Sequence, residues 1–87
     1  MSYSYEKQRP SLFTDDGVKM LLKIRDTANR LLDEAGAFRA EKAWAGLGGN
    51  VWDMIAALDY LVERGEIVEV STPGTWGQSR IFVRAKP

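Results

Sequence analysis

Apolar residues recur every three or four positions from Val18 onward: Val18, Leu21, Leu22, Ala28, Leu32 and Ala35, joined by Ile24 and Leu31. That spacing lines one side of an α-helix. Thr14 ahead of Asp15 and Asp16 supplies a capping hydroxyl and two acids for the positive end of the helix dipole, and Gly36 supplies a stop. The pattern predicts a first helix over 15–35. Ala40, Ala43, Trp44 and Leu47 fall at i, i+3, i+4 and i+7, predicting a shorter helix over 39–46 that the glycines at 46, 48 and 49 break. Asn50 is placed to cap a third helix over 50–64, with Val51, Met54, Ile55, Leu58, Leu61 and Val62 on one side and Gly65 as its end. The rhythm then changes. Residues 66–71 and 79–84 carry strand-forming side chains around a polar, glycine-containing stretch, the signature of a hairpin, and a short strand at Ala37 to Arg39 is placed to join it as a third member.

The expected core is Leu21, Leu22, Leu32, Trp44, Leu47, Ile55, Leu58, Leu61 and Ile67. Residues 1–13 are polar, contain Pro10 and show no sustained period, so they are expected as a frayed N-terminal tail outside a domain at 14–87, although Tyr3, Tyr5, Leu12 and Phe13 offer groups that could dock.

Composition narrows the chemistry. With 87 residues the chain makes one domain, and 45% hydrophobic with 28% charged residues is ordinary for a globular one. Cysteine and histidine are both absent. A disulfide framework, a thiolate nucleophile and a histidine base are therefore excluded, and any metal site would need oxygen ligands alone. The loop Gly46-Leu47-Gly48-Gly49 imitates a phosphate cradle, but Val51 stands where a third glycine is needed and a helix, not a strand, precedes it. No nucleophile–base pair is visible, so no enzyme, cofactor, metal or small-molecule substrate is expected. No apolar run approaches the ~20 residues that span a bilayer, and no signal peptide is evident, which makes a cytoplasmic location without membrane partners the default expectation.

The run FRAEKAWAGLGGNVWDMIAALDYLVERGEI followed by VEVSTPGTWGQSRIFVR resembles the winged helix-turn-helix superfamily over about residues 14–84. The fold so implied is mainly α with a small antiparallel hairpin (α+β): three helices plus a wing. One departure is the turn between the second and third helices, which three glycines make looser than usual. The resemblance implies double-stranded DNA as partner, with the third helix in the major groove and the second helix crossing the backbone.

The residues complicate that implication. Opposite its apolar side the third helix carries Trp52, Asp53, Ala56, Asp59, Tyr60 and Glu63, with no Lys or Arg to pair with a guanine edge or a phosphate. DNA contacts would have to come from Arg39 and Lys42 on the second helix and from Gln78, Arg80 and Arg84 on the wing, with Trp76 at its tip, Lys86 behind it, and Lys7 and Arg9 in the tail. Asn50 could reach an adenine edge, though capping is its simpler role. Twelve basic against twelve acidic side chains provide no overall attraction to phosphate. The aromatic and acidic third helix suits a protein-facing surface better. The sequence therefore supports two readings: a small DNA-binding module or transcriptional regulator acting through phosphate contacts, and a winged helix used for protein–protein assembly or homodimerisation.

Overall fold

The computed structural model describes residues 3–70 and 80–85. Its elements are α1 (Tyr5–Gln8), a 3-10 segment (Arg9–Phe13), α2 (Asp15–Ala35), β1 (Ala37–Arg39), α3 (Ala40–Ala43), α4 (Val51–Glu63), β2 (Ile67–Val70) and β3 (Ile81–Arg84). The long first helix of the sequence is α2, and its ends are built as its residues require. Thr14 Oγ1 accepts the Gly17 N–H at 3.0 Å, Asp15 and Asp16 occupy the first turn, and Gly36 closes the helix at φ 79° with its N–H 2.8 Å from the Leu32 carbonyl oxygen. Asn50 caps α4 through its side-chain oxygen, which accepts the Trp52 N–H at 2.7 Å.

The strands form one antiparallel sheet in the order β1-β3-β2, with Phe38 opposite Phe82 and Glu69 on the other side of Phe82. Ala37–Arg39 thus joins the hairpin as its third strand, the expected place. Pairing with β3 takes Arg39 out of the second helix, which shortens from the expected 39–46 to Ala40–Ala43. The candidate residues Trp76 and Gln78, the ends of the expected strands at Ser71 and Ser79, and Lys86 lie outside the described residues.

Apolar faces of α2 and α4 close on the inner side of the sheet. Ile24, Leu58, Leu61 and Phe82 are essentially inaccessible, and Leu21, Leu32, Trp44, Ile55 and Ile67 are buried with them. Two core expectations need correction. Leu22 is 49% exposed, because the buried side of α2 runs through Gly17, Leu21, Ile24, Ala28 and Leu32 and leaves 22 beside it. Leu47 is only partly buried at the rim of the core.

The frayed tail is the larger correction. Residues 3–13 lie packed on the body, and Leu12 is among the most completely buried side chains of the molecule. The 3-10 backbone crosses α2 where that helix has no side chain: a Cβ at Gly17 would sit 2.9 Å from Leu12 Cα and overlap the Ser11 carbonyl oxygen. The helical spacing of Tyr5, Gln8 or Arg9, and Leu12 was the available signal, masked by the polar composition around it.

Candidate functional site

The face of α4 opposite the core meets the N-terminal segment along its length. Tyr3 Oη donates to Asp59 at 2.6 Å and Tyr5 Oη to Glu63 at 2.9 Å. Gln8 Nε2 donates to Asp53 Oδ1 at 2.8 Å, and Ser11 Oγ lies 2.7 Å from the same oxygen. Arg9 grips Glu63 with two nitrogens, at 3.1 and 2.9 Å. Each carboxylate of this face therefore has a donor from residues 3–11. Apolar and aromatic contacts fill the gaps: Tyr3 meets Trp52 edge-on at 6.4 Å, Phe13 meets Tyr60 edge-on at 5.5 Å, and the Arg9 guanidinium lies over both Phe13 and Tyr60. Ala56, expected on the outer side, is fully buried.

These contacts shift protonation in the directions they must. Burial and then the hydrogen bond to Glu63 push the Tyr5 phenol up to about 12. Burial and the Asp59 hydrogen bond raise the Tyr3 phenol further still. Hydrogen bonds from Arg9 and then Tyr5 hold the Glu63 carboxyl below its usual range.

Arg80 and Arg84 are both held by carboxylates. Strand alternation puts residues 80, 82 and 84 on one side of β3, and Phe82 on that side is fully buried. Arg80 accordingly reaches Asp59 of α4 at 2.6 Å and Glu69 of β2 at 2.7 Å, with its guanidinium 5.1 Å from the centre of the Phe82 ring. Burial lowers the proton affinity of this guanidinium, but the hydrogen bonds to Glu69 and Asp59 outweigh it and the net shift is upward. Arg84 spans to α2, 2.8 Å from Asp33. Both side chains tie the hairpin to the helices.

The opposite side of the sheet has no such cover among the described residues. Its outward positions are Ala37 and Arg39 on β1, Val83 and Ile81 on β3, and Val68 and Val70 on β2, the first, second and third strands in the sheet order. An antiparallel sheet with one solvated face usually alternates apolar-in with polar-out. Here five of six outward residues are apolar, and Val68 is 47% exposed.

Comparison with protein-family models, with curated proteins and with solved structures gave no match.

The sequence-predicted residues thus divide by geometry. Trp52, Asp53, Ala56, Asp59, Tyr60 and Glu63 do form one surface, and the chain's own residues 3–13 cover it. Arg80 joins that network through Asp59, and Arg84 forms a bridge on α2. Asn50 is a cap. Arg39 and Lys42 come together at the β1 end of the sheet, both exposed, with Arg39 3.6 Å from Glu41. They line an open apolar depression with Leu31, Ala37, Phe38 and Ile81. Sequence reasoning missed the outward face of the sheet, because assigning it required knowing which half of Ile81-Phe82-Val83 faces the core. Among the described residues no cluster of carboxylates could hold a metal ion, and no helix is long and apolar enough to cross a membrane.

Proposed function

We propose that this chain is a winged-helix module for protein–protein assembly, self-associating through the outer face of its sheet rather than reading DNA. Support for the winged-helix build comes from the run α2, β1, α3, α4, β2, β3 and from the β1-β3-β2 strand order. The assembly reading is carried by one observation: the outward positions of all three strands are aliphatic except Arg39. Aliphatic side chains on a twisted sheet are self-complementary, so a second copy related by a two-fold axis can pack on them face to face at ~10 Å, as sheets in a sandwich do. Ala37 and Val68 of this face are exposed, and Val70, Ile81 and Val83 are half-buried, which leaves apolar surface for a partner to cover.

The DNA reading loses its main elements. The helix that would enter the groove is covered, its face is acidic, and Arg80 is committed to Asp59 and Glu69. Sedimentation of the free protein over a range of concentrations, beside a duplex titration at low and moderate salt, tests the proposal. A monomer–dimer equilibrium is expected, weakened at least tenfold by Val68→Lys with Val83→Lys, and duplex binding is expected to be negligible even at low salt. A protein that stays monomeric and binds duplex with a log–log salt slope of about −0.9 per phosphate contact would overturn it in favour of DNA.

A further inference from the structure

The edge of β1 has a use that its side chains alone do not reveal. The Ala40 N–H donates to the Arg80 carbonyl oxygen at 2.8 Å, which makes 40 and 80 a hydrogen-bonded pair one step beyond Arg39 opposite Ile81. Antiparallel pairs alternate, so Phe38 and Phe82 are also a hydrogen-bonded pair, while Ala37 opposite Val83 and Arg39 opposite Ile81 are not. The N–H and C=O of Ala37 and the N–H of Arg39 therefore point away from β3, outward along the sheet edge. The Arg39 carbonyl, at the N-cap of α3, is taken by the first turn of that helix. Both residues are exposed.

The apolar depression lies against this edge. Leu31 of α2 lines it together with Ala37, Phe38 and Ile81, and among the described residues the charged side chains lining it are Arg39 and Lys42. No carboxylate is among its lining residues. Glu41 pairs with Arg39 at 3.6 Å in an exposed contact of little energetic weight, which leaves the two cations a net positive site. Among the described residues no main-chain group pairs with this edge. An exposed row of outward N–H and C=O groups at alternate residues is a template on which another extended backbone replaces water. A strand placed there sends one set of side chains toward Leu31 and the other toward Ala37 and Arg39.

We propose that the β1 edge is a docking site for an extended, acidic peptide segment of a partner protein, which adds as a fourth strand beside Ala37–Arg39. Its main chain exchanges hydrogen bonds with Ala37 and accepts one from the Arg39 N–H. An aliphatic side chain fills the depression against Leu31, and a carboxylate sits between Arg39 and Lys42. This rests on the reading of the chain as an interaction module but not on its self-association, since the edge and the outer face are different surfaces that meet at Ala37, Arg39 and Ile81.

The probes are end-capped hexapeptides of alternating valine and glutamate, the same with lysine in place of glutamate, and a glutamate version N-methylated at alternate amides. Amide chemical shifts and amide exchange of the intact protein are followed by NMR. The glutamate peptide is expected to move the Ala37 and Arg39 amides and slow their exchange, and the lysine peptide to bind at least tenfold more weakly. The Arg39→Glu, Lys42→Glu variant should reverse that preference, and N-methylation should cost tenfold or more. Equal affinity for both charges, insensitivity to N-methylation, shifts confined to other surfaces, or no binding would each overturn the proposal. Val68→Lys with Val83→Lys separates the two readings. Peptide binding retained in that variant, with a wild type that never dimerises, would remove self-association and leave the edge site standing.

Discussion

Gly17→Ala sets two well-characterised effects against each other, and the structure decides which wins. Position 17 is in the first turn of a 21-residue helix, where alanine is the better helix former by up to ~1 kcal/mol. Propensity alone therefore makes the variant more stable. The added methyl, however, meets backbone rather than a flexible side chain: the Ser11 carbonyl oxygen, and Leu12 Cα at 2.9 Å. Neither can rotate away. Either the whole 3-10 segment shifts at ~1–3 kcal/mol of overpacking, or it lifts off. Lifting exposes Leu12, which is 0% accessible in the native state, at ~1.5–3 kcal/mol for the lost burial, and strips the donors from Asp53 and Asp59. The expected net change is a destabilisation of ~1–2 kcal/mol, about 4–15 °C in melting temperature for a domain of this size.

Urea unfolding measures the sign, and limited trypsin digestion measures the cause. Lys7 is exposed within α1, so cleavage after it should accelerate if residues 3–13 undock more often. A Leu12→Ala background refines the test, because a segment already loosened gives way more easily and the two losses should sum to less than their separate values. A Gly17→Ala protein with a higher urea midpoint and unchanged cleavage at Lys7 would refute the reasoning and with it the close approach of the 3-10 backbone to α2.

Leu58→Ala, at a side chain 1% accessible, should lower stability by ~2–5 kcal/mol in urea unfolding; an unchanged midpoint would mean α4 faces the other way. Arg80→Ala leaves Asp59 and Glu69 without their shared cation and should cost ~1–3 kcal/mol, less than a fully buried pair because solvent reaches all three side chains, with partial recovery when Glu69→Gln is added; no recovery would deny the charge network its role. Tyr3 and Tyr5 have phenols raised above the ordinary 10, so the folded state favours their protonated forms. The stability they contribute is complete below pH 10, where unfolded tyrosines are also protonated, and for Tyr5 is lost as pH climbs from 10 through about 12. Tyr3→Phe with Tyr5→Phe should flatten that alkaline decline in a thermal-melting pH series, and an equally steep decline in the double variant would assign it to other groups.

How far the fold was legible follows from how local each signal is. The caps at Thr14, Gly36 and Asn50 involve neighbours two to four residues away, and each forms as the sequence predicts. The third strand at Ala37–Arg39 was legible as a possibility, but its effect on the second helix was not, since residue 39 is claimed by a partner far along the chain at Ile81. Periodicity cannot arbitrate between a strand end and a helix start when both fit the same three residues. Leu22 shows the same limit on a smaller scale: two adjacent leucines on α2 both fit the apolar side, and only packing leaves one of them 49% exposed.

The third helix carries the more general lesson about reading a surface. Its acids and aromatics were legible as unsuited to phosphate, and that chemistry is what the structure uses: Asp53, Asp59 and Glu63 take hydrogen bonds from Tyr3, Tyr5, Gln8 and Arg9. Helical periodicity names the side of a helix away from one neighbour, not the side away from all of them. A helix sandwiched between a core and a docked segment has two covered faces, and Ala56, Ala57 and Met54, each at 2% exposure or less, record both. The polar composition of residues 1–13 hid this because polar side chains were read as solvated, whereas here they are the partners of an acidic helix. The same logic applies to β3, whose Arg80 is engaged by Asp59 and Glu69. Arg80 and Arg84 share a side with Phe82, so once Phe82 enters the core they reach carboxylates on that side, Arg80 largely covered and Arg84 still exposed beside Asp33, while the half-buried Ile81 and Val83 take the other side of the sheet.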